Sequence, residues 1–261
     1  MKKYFVIGNP IEHSLSPELH NFWIKKNNIN ATYEKKKLNE SDLKNFINKL
    51  KKDEIHGINV TVPFKNKVIN YLDKLSLEAE ETGSVNTIYK NRDEIIGHNT
   101  DVAGFELGLR YSKINVLHKS ILILGAGGVA PSIIYSLMGM GCKKIYLSNR
   151  TIEKALNLKR KFNEIDVIKW GEIPDFDIAI NATSVGLKGE SLKLNFNTKD
   201  KIFYDVIYNP KETAFLKEAK ASGNIIENGK FMFIYQANQS FSIWNNVIPK
   251  IDDEVLKIFN D

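Results

Sequence analysis

The feature that most constrains the fold is an aliphatic run that leads directly into a glycine-rich turn and then into a helix-forming segment. The run spans Ile121 to Leu124, the turn spans Gly125 to Ala130, and the predicted helix spans 131–138. A dinucleotide-binding crossover requires this order, because glycines permit a tight turn and let backbone N–H groups approach a pyrophosphate. An ordinary βα turn with spare glycines is the alternative, but the context of the turn favours nucleotide binding.

Strand-like and helix-like segments alternate through the second half of the chain. The predicted strands are 121–124, 144–147, 167–168, 178–180, 203–206 and 225–226, and the predicted helices are 131–138, 151–162 and 213–222. This alternation is typical of a parallel, doubly wound sheet. We therefore predict a Rossmann-type α/β domain over residues 102–230.

The first part of the chain predicts a separate α/β domain over residues 1–101, which is an ordinary domain size. Its predicted strands are 4–8, 31–34, 55–62 and a hairpin of 85–89 with 94–97; its predicted helices begin at Pro17 and cover 43–50 and 64–72. Helical sequence follows at 102–110, 231–247 and 252–259.

The basic character of the chain does not indicate nucleic-acid binding. The net charge is +6, but only four of the 37 basic residues are arginine, and the lysines are scattered along the chain. A nucleic-acid interface would concentrate its basic residues in one patch. We therefore expect a solvated lysine surface and no nucleic-acid partner.

Metal and membrane binding are not indicated either. The single cysteine, Cys142, excludes an intrachain disulfide and a cysteine metal cluster, and the five histidines lack metal-ligand spacing. No long uncharged apolar run is present, and the apolar core near the N-terminus is too short for a signal peptide. We expect a cytoplasmic protein with no metal site.

The residues after the second strand of the predicted Rossmann-type domain favour NADP over NAD. NAD-specific proteins usually carry an acidic residue there for the ribose 2′-hydroxyl, whereas this chain has Asn149, Arg150 and Thr151, with Lys154 one turn later. A guanidinium, a hydroxyl and an ammonium suit a 2′-phosphate. The alternative is a helix capped by Ser148 or Thr151 beside a solvated Arg150.

A further loop, Asn181–Gly186, follows the predicted strand 178–180. Small polar residues at the carboxyl end of such a strand fit a loop against the nicotinamide half of a cofactor. Good turn formers alone would also explain this composition, so the loop supports the NADP prediction without deciding it.

Polar residues of the first domain also fall at the ends of predicted elements. They are Ser14, Ser16, Asn59, Thr61, Lys65, Asn86 and Asp101. Individually they have structural explanations: Ser16 and Asp101 as helix caps, Asn59 and Thr61 as solvent-facing residues. Together they predict a site for a small, polyhydroxylated, anionic molecule. A lysine close to an aspartate can pass a proton to a carbonyl oxygen while a nicotinamide delivers hydride.

Motifs in the same order along essentially the whole chain resemble those of the shikimate dehydrogenase family. In the first half they are Gly8–Pro10 with His13–Pro17, Asn59–Lys65, Gly83–Thr87 and Gly97–Asp101. In the second half they are the glycine turn, Asn149–Thr151, Asn181–Gly186, Asp205–Pro210 and Gly229–Ala237. So many motifs in the same order make the resemblance specific.

The resemblance implies reversible, NADPH-dependent reduction of 3-dehydroshikimate to shikimate in chorismate and aromatic amino acid biosynthesis. It implies two domains with a cleft between them, and C-terminal helices (231–261) that return to the substrate-binding catalytic domain. It implies that Lys65 is the proton donor and acceptor at the C3 oxygen, paired with Asp101. The implied partner is a small-molecule substrate, and the state of assembly is left open between monomer and homodimer.

The resemblance also implies residue roles in each domain. Ser14 and Ser16 hold the substrate carboxylate with Tyr208 nearby, and the rest of the substrate site is Asn59, Thr61, Asn86, Asp101 and Gln236. The cofactor is lined by Gly125, Ala126, Gly127, Gly128, Val129, Ala130, Asn149, Arg150, Thr151, Lys154, Thr183, Val206, Gly229 and Met232.

The chain departs from the family pattern in a few places. Lys154 stands where many members have arginine, which keeps the charge and loses the bidentate fork. Two alternatives stay open on sequence grounds. One is a quinate/shikimate dehydrogenase that uses NAD, a branch whose typical acidic residue is absent here, and the other is a non-catalytic NADP-sensing or nucleic-acid-binding module.

Overall fold

The computed structural model describes residues 1–259 and divides into two compact units. Unit 1 comprises residues 1–104 together with the chain from 234 onward, and unit 2 comprises residues 105–233. Both boundaries lie inside helices, at Thr100–Tyr111 and Lys230–Asn245. Residues 260 and 261 of the segment predicted over 231–261 lie outside the described residues.

Unit 1 is built on a mixed six-stranded sheet. Its strands are β1 (Lys2–Gly8), β2 (Ala31–Lys37), β3 (Gly57–Val60), β4 (Lys74–Leu75), β5 (Thr87–Asn91) and β6 (Glu94–His98). The order is β2-β1-β3-β5-β6-β4. Strands β1, β2 and β3 run parallel, whereas β5 is antiparallel to both of its neighbours, so the predicted hairpin is confirmed.

Unit 2 contains a six-stranded sheet in which every pairing is parallel. Its strands are β7 (Ser120–Leu124), β8 (Lys144–Ser148), β9 (Asp166–Ile168), β10 (Ile178–Asn181), β11 (Ile202–Asp205) and β12 (Ile225–Asn228). The order β12-β11-β10-β7-β8-β9 is doubly wound, as the alternation predicted. Alternate residues of β7 enter separate apolar clusters, because successive side chains of a strand point to opposite faces.

The described residues also form nine α-helices, several of which bury an apolar face. They are α1 (Ser16–Lys26), α2 (Leu43–Lys51), α3 (Leu77–Thr82), α4 (Thr100–Tyr111), α5 (Ala130–Gly139), α6 (Ile152–Lys161), α7 (Ala214–Ala221), α8 (Lys230–Asn245) and α9 (Asp253–Lys257). In α2 the four apolar positions Leu43, Phe46, Ile47 and Leu50 are buried, which confirms the helical spacing read from the sequence. No helix within residues 1–259 is long and apolar enough to span a membrane.

Trp244 anchors the end of α8 in unit 1. Its indole N–H donates to the carbonyl of Ile88 at 3.2 Å, and its ring stacks on Tyr4 with centroids 4.9 Å apart. A Cβ at Gly57 would lie 2.5 Å from the indole, so this position of β3 accepts only glycine. The packing of this segment therefore depends on a tryptophan and a glycine that are far apart in sequence.

Two local predictions were wrong, and one short helix was missed. The helix predicted over 64–72 is a set of turns with a 3-10 helix at Val68–Tyr71, and the Lys65 carbonyl accepts the Val85 N–H at 2.8 Å instead of a helical partner. The short helix α3 was missed, although the Ser76 hydroxyl caps it and Gly83 ends it at φ 61°. Ser16 is the first residue of α1 and not its cap, since Leu15 holds the cap position.

Candidate active site and nucleotide-binding loops

A buried ion pair lies at the centre of the polar residues of unit 1. Lys65 Nζ is 2.5 Å from Asp101 Oδ2, and the two side chains are 13% and 8% exposed. Lys65 follows the end of β3, and Asp101 lies in the first turn of α4, where its backbone N–H donates to Asn99 Oδ1 at 3.1 Å. A largely desolvated pair of this kind interacts more strongly than an exposed one.

Asn86 holds the other oxygen of Asp101. Its amide NH₂ donates to Asp101 Oδ1 at 2.9 Å and lies 3.5 Å from Gln236 Oε1. Its side-chain oxygen accepts the backbone N–H of Thr100 at 2.8 Å, which fixes the orientation of the amide. The structure thus brings four of the predicted residues, Lys65, Asn86, Asp101 and Gln236, into one cluster.

Asn59 lies behind this cluster and is 6% exposed. Its amide nitrogen is 3.0 Å from the Asn86 carbonyl and 2.9 Å from Ser240 Oγ, and its oxygen accepts the Tyr33 hydroxyl at 2.7 Å. It does not face solvent, which was the structural explanation considered from sequence. Both ends of its side chain are engaged by protein groups.

Ser14 and Ser16 form a second pair of predicted residues. Their hydroxyl oxygens are 3.1 Å apart, and the Ser16 N–H donates to Ser14 Oγ at 3.3 Å. Thr61 is half-buried, and its methyl group would lie 2.6 Å from a Cβ at Gly8. Tyr208 belongs to unit 2, where its ring packs on Phe233 with centroids 4.4 Å apart.

The glycine turn of unit 2 has the geometry that its sequence implies. Gly125 has φ +109°, and a Cβ there would lie 2.7 Å from the Thr183 methyl group. Gly127 and Gly128 are exposed, and α5 begins directly after Val129. Exposed backbone N–H groups at a helix N-terminus can bind a phosphate.

The loop after β8 is tied to this turn by Asn149. Its side-chain oxygen accepts the Ala126 N–H at 3.0 Å, and its NH₂ group donates to the Thr151 carbonyl at 2.7 Å. Thr151 holds the cap position of α6 without a side-chain cap bond. Arg150 and Lys154 are exposed, and neither cation has a hydrogen-bond or ion-pair partner within residues 1–259. These exposed cations suit an anionic group.

The remaining residues predicted to line the cofactor are in close contact with neighbouring protein atoms. Thr183 donates its hydroxyl to Asn181 Oδ1 at 2.7 Å. A Cβ at Gly229 would lie 2.1 Å from the Val206 carbonyl oxygen, so this position requires glycine. Met232 is 5% exposed and packs in an apolar core cluster.

Sequence reasoning missed the buried hydroxyls around Asn86. Thr87, Thr100 and Ser240 lie 3.0 to 3.3 Å from one another, and Ser240 also donates to the Gln236 carbonyl at 2.9 Å. The two threonines adjoin predicted site residues in the sequence, Asn86 and Asp101, and this position could have indicated that they belong to the site. The sequence gave no indication for Ser240, because a serine in a helix is usually a surface residue.

Two family models match the chain. One, described as the shikimate dehydrogenase substrate binding domain, matches residues 6–88, and the other, described as shikimate / quinate 5-dehydrogenase, matches residues 109–188. The shikimate dehydrogenase (NADP(+)) of Pelagibacter ubique (strain HTCC1062) is 57% identical over 264 residues that cover 100% of both chains.

Solved structures are similar over the same length. A crystal structure of shikimate dehydrogenase from Aquifex aeolicus has a TM-score of 0.91 and 38% identity, and the match covers 100% of this chain and 97% of that one. A shikimate dehydrogenase solved in complex with NADP⁺ has a TM-score of 0.90 and 34% identity, with 100% and 94% covered.

Proposed function

The chain belongs to the shikimate dehydrogenase family, and from this premise we propose that it catalyses the reversible NADPH-dependent reduction of 3-dehydroshikimate to shikimate. This reaction is a step of chorismate and aromatic amino acid biosynthesis. The observation that carries the proposal is the Lys65–Asp101 ion pair, held on its far side by Asn86. The relatives' name, shikimate dehydrogenase (NADP(+)), supports the choice of substrate and cofactor.

Lys65 is the acid and base in this proposal. In the reducing direction its ammonium donates a proton to the C3 carbonyl oxygen, and in the oxidising direction its amine accepts the proton of the C3 hydroxyl. Asp101 holds the nitrogen of Lys65 at 2.5 Å and so restricts the direction from which the proton is presented. NADPH, when bound, supplies the hydride.

Substrate binding is assigned to unit 1. Ser14 and Ser16 are suited to the carboxylate, because two neighbouring hydroxyls can donate to its two oxygens. The ring hydroxyls are assigned to Thr61, Asn86, Asp101 and Gln236. Asn59 orients these residues through its hydrogen bond to the Asn86 carbonyl. Tyr208 is proposed as a further residue that binds the substrate.

NADP binding is assigned to unit 2. The Gly125–Ala130 turn offers backbone N–H groups to the pyrophosphate, and Arg150 and Lys154 offer cations to the 2′-phosphate. Thr183, Val206, Gly229 and Met232 complete the set with Asn149 and Thr151. The donor set fits a phosphorylated dinucleotide.

Steady-state kinetics test the proposal. Rates are measured with NADP⁺ and NAD⁺, each on shikimate and on quinate, from the absorbance of the reduced nicotinamide. We expect the highest kcat/KM for shikimate with NADP⁺. A higher value for quinate with NAD⁺ would reject the proposal in favour of the quinate branch, and NADP⁺ binding without turnover would indicate a sensing module.

The proposal includes action in the cytoplasm as a monomer or homodimer. Cell fractionation tests the location, and light scattering on the purified protein tests the state of assembly.

A further inference from the structure

We propose that Asp205 is a positioning residue for the NADP-binding loops of unit 2, a role that rests on the proposed function. Asp205 is the last residue of β11, and it is 0% exposed. Burial of a carboxylate costs free energy of folding unless its oxygens accept hydrogen bonds. The groups that donate to Asp205 therefore indicate its role. No sequence motif assigns it a role in binding or catalysis.

The carboxylate of Asp205 accepts hydrogen bonds from three separate parts of the chain. Its Oδ2 accepts from the Thr213 hydroxyl at 2.6 Å and from the Asn181 amide at 3.1 Å. Its Oδ1 accepts from the Ile207 N–H at 2.9 Å. All of these donors are neutral, and no lysine or arginine within residues 1–259 forms an ion pair with it. Burial accordingly raises the pKa of Asp205 to about 6.

Asn181 passes this constraint to Thr183. Because the Asn181 NH₂ group is turned towards Asp205, its oxygen faces Thr183, where it accepts the backbone N–H at 3.1 Å and the hydroxyl at 2.7 Å. Thr183 Oγ1 in turn accepts the Val185 N–H at 3.0 Å. The orientation of the Asn181 amide therefore determines where the Thr183 side chain points.

The same contacts reach the other cofactor loops. The Thr183 methyl group packs against Gly125, where a Cβ would lie 2.7 Å away. The Val206 N–H donates to the Asn181 carbonyl at 3.0 Å, and the Val206 carbonyl in turn packs against Gly229. The loops after β10 and β11 are thus bonded to one carboxylate, and the loops after β7 and β12 pack against Thr183 and Val206 beside it. These loops lie at the carboxyl edge of the sheet, where ligands of doubly wound folds bind.

Asp205→Asn tests this role because asparagine has one side-chain oxygen instead of two. The variant must turn its NH₂ group either towards the Ile207 N–H or towards the Thr213 and Asn181 donors, so at least one donor loses its acceptor. Asn181→Ala is the second variant, since it removes the link to Thr183 and leaves Asp205 two partners. Asp177→Asn is the matched control, because Asp177 lies before β10 and accepts the Ser120 N–H at 2.9 Å.

The Kd of NADP⁺ and the Kd of shikimate are measured by calorimetry on each full-length variant, with thermal unfolding recorded alongside. We expect Asp205→Asn and Asn181→Ala to raise the Kd of NADP⁺ by about tenfold, and shikimate binding to stay within about twofold. The control should bind both ligands like the parent protein.

Lower thermal stability with an unchanged Kd for NADP⁺ would overturn the inference, because it would mean a merely structural role. If Asp205→Asn does not fold, Asn181→Ala decides the matter alone. Failure of the proposed function has a different readout, since the parent protein would then not bind NADP⁺ or would not turn over shikimate.

Discussion

Within residues 1–259, a buried carboxylate lies at the centre of a polar cluster in each unit, and the two carboxylates differ in their partners. Asp101 in unit 1 has an ammonium group 2.5 Å away, whereas Asp205 in unit 2 accepts only neutral donors. The two cations of unit 2 that follow β8, Arg150 and Lys154, are instead exposed and have no partner in the described part of the chain.

This difference in partners suggests that the two buried carboxylates have different roles. In unit 1 the carboxylate pairs with an ammonium, the group that we propose gives and takes a proton. In unit 2 the carboxylate joins loops, and the charge that can meet a ligand lies at the surface. Substitutions at the two carboxylates and at the exposed cations should therefore change different measured quantities.

The largest expected effect is on turnover at the unit 1 pair. Lys65→Ala should lower kcat for shikimate by about 10³-fold with little change in KM, because the ammonium acts mainly in the transition state. Lys67→Ala is the control, since Lys67 is more exposed and pairs with Glu40. A large rise in KM with an unchanged kcat would contradict the role of Lys65.

The second effect is the pH dependence of stability at Asp205. Its pKa is about 6 in the folded state against an ordinary value of 3.8, so between these values the folded state binds more protons than the unfolded state. Stability from this group is therefore complete below about pH 4 and is lost as the pH rises through 6.

Chemical denaturation of the parent protein and of Asp205→Asn between pH 4 and 7 measures this contribution. The unfolding free energy of the parent should fall relative to that of the variant by about 2 kcal/mol across the range. A difference that does not change with pH would show that folding does not raise the pKa of Asp205, and a difference that grows in favour of the parent as the pH rises would show a lowered pKa. Either result would contradict a carboxylate buried among neutral donors.

The third effect is on cofactor choice at the exposed cations. Arg150→Ala should raise the Kd of NADP⁺ by about 10- to 100-fold and leave that of NAD⁺ nearly unchanged, because only NADP⁺ carries the 2′-phosphate. Arg160→Ala is the control, since Arg160 lies in the last turn of α6, the helix that follows Arg150, and contacts Asn157. Equal weakening of both cofactors would reject the 2′-phosphate assignment.

The smallest effect sharpens the same assignment. Lys154→Arg should lower the Kd of NADP⁺ by about two- to fivefold, because a guanidinium can bind a phosphate with two parallel hydrogen bonds. The Kd of NAD⁺ should not move. Tighter binding of both cofactors would mean that residue 154 interacts with the pyrophosphate, which both cofactors carry, or changes the electrostatic potential of unit 2 as a whole.

The fold of unit 2 was more predictable than that of unit 1. Aliphatic strands followed by helices occur in a regular order there, and each of its six predicted strands is present. In unit 1 the segment 64–72 has a helix-like sequence, but its Lys65 carbonyl is taken by Val85. Propensity is overridden where a distant segment competes for the same backbone group.

The candidate site was predictable as a set of residue types but not as a set of contacts. Lys65 and Asp101 were chosen from their positions at element ends, and their pairing was implied by the family resemblance and not by any local pattern. Ser240 was not chosen, although it lies 2.9 Å from Asn59. Asp205 was part of a motif without a role, because only one of its three donors, Ile207, is close to it in sequence.

The sequence by itself determined the local features of this protein. The apolar run predicted strand β7, and the glycine after it predicted a tight turn, which the structure shows as φ +109° at Gly125. The arginine after β8 predicted a phosphate-binding position from its side-chain chemistry. Each of these inferences depends on only a few neighbouring residues. The tertiary structure decided the long-range contacts: Lys65 with Asp101 across 36 positions and Asn59 with Ser240 across 181. Those distances depend on strand order and register, which the sequence specifies only through the packing of the whole unit.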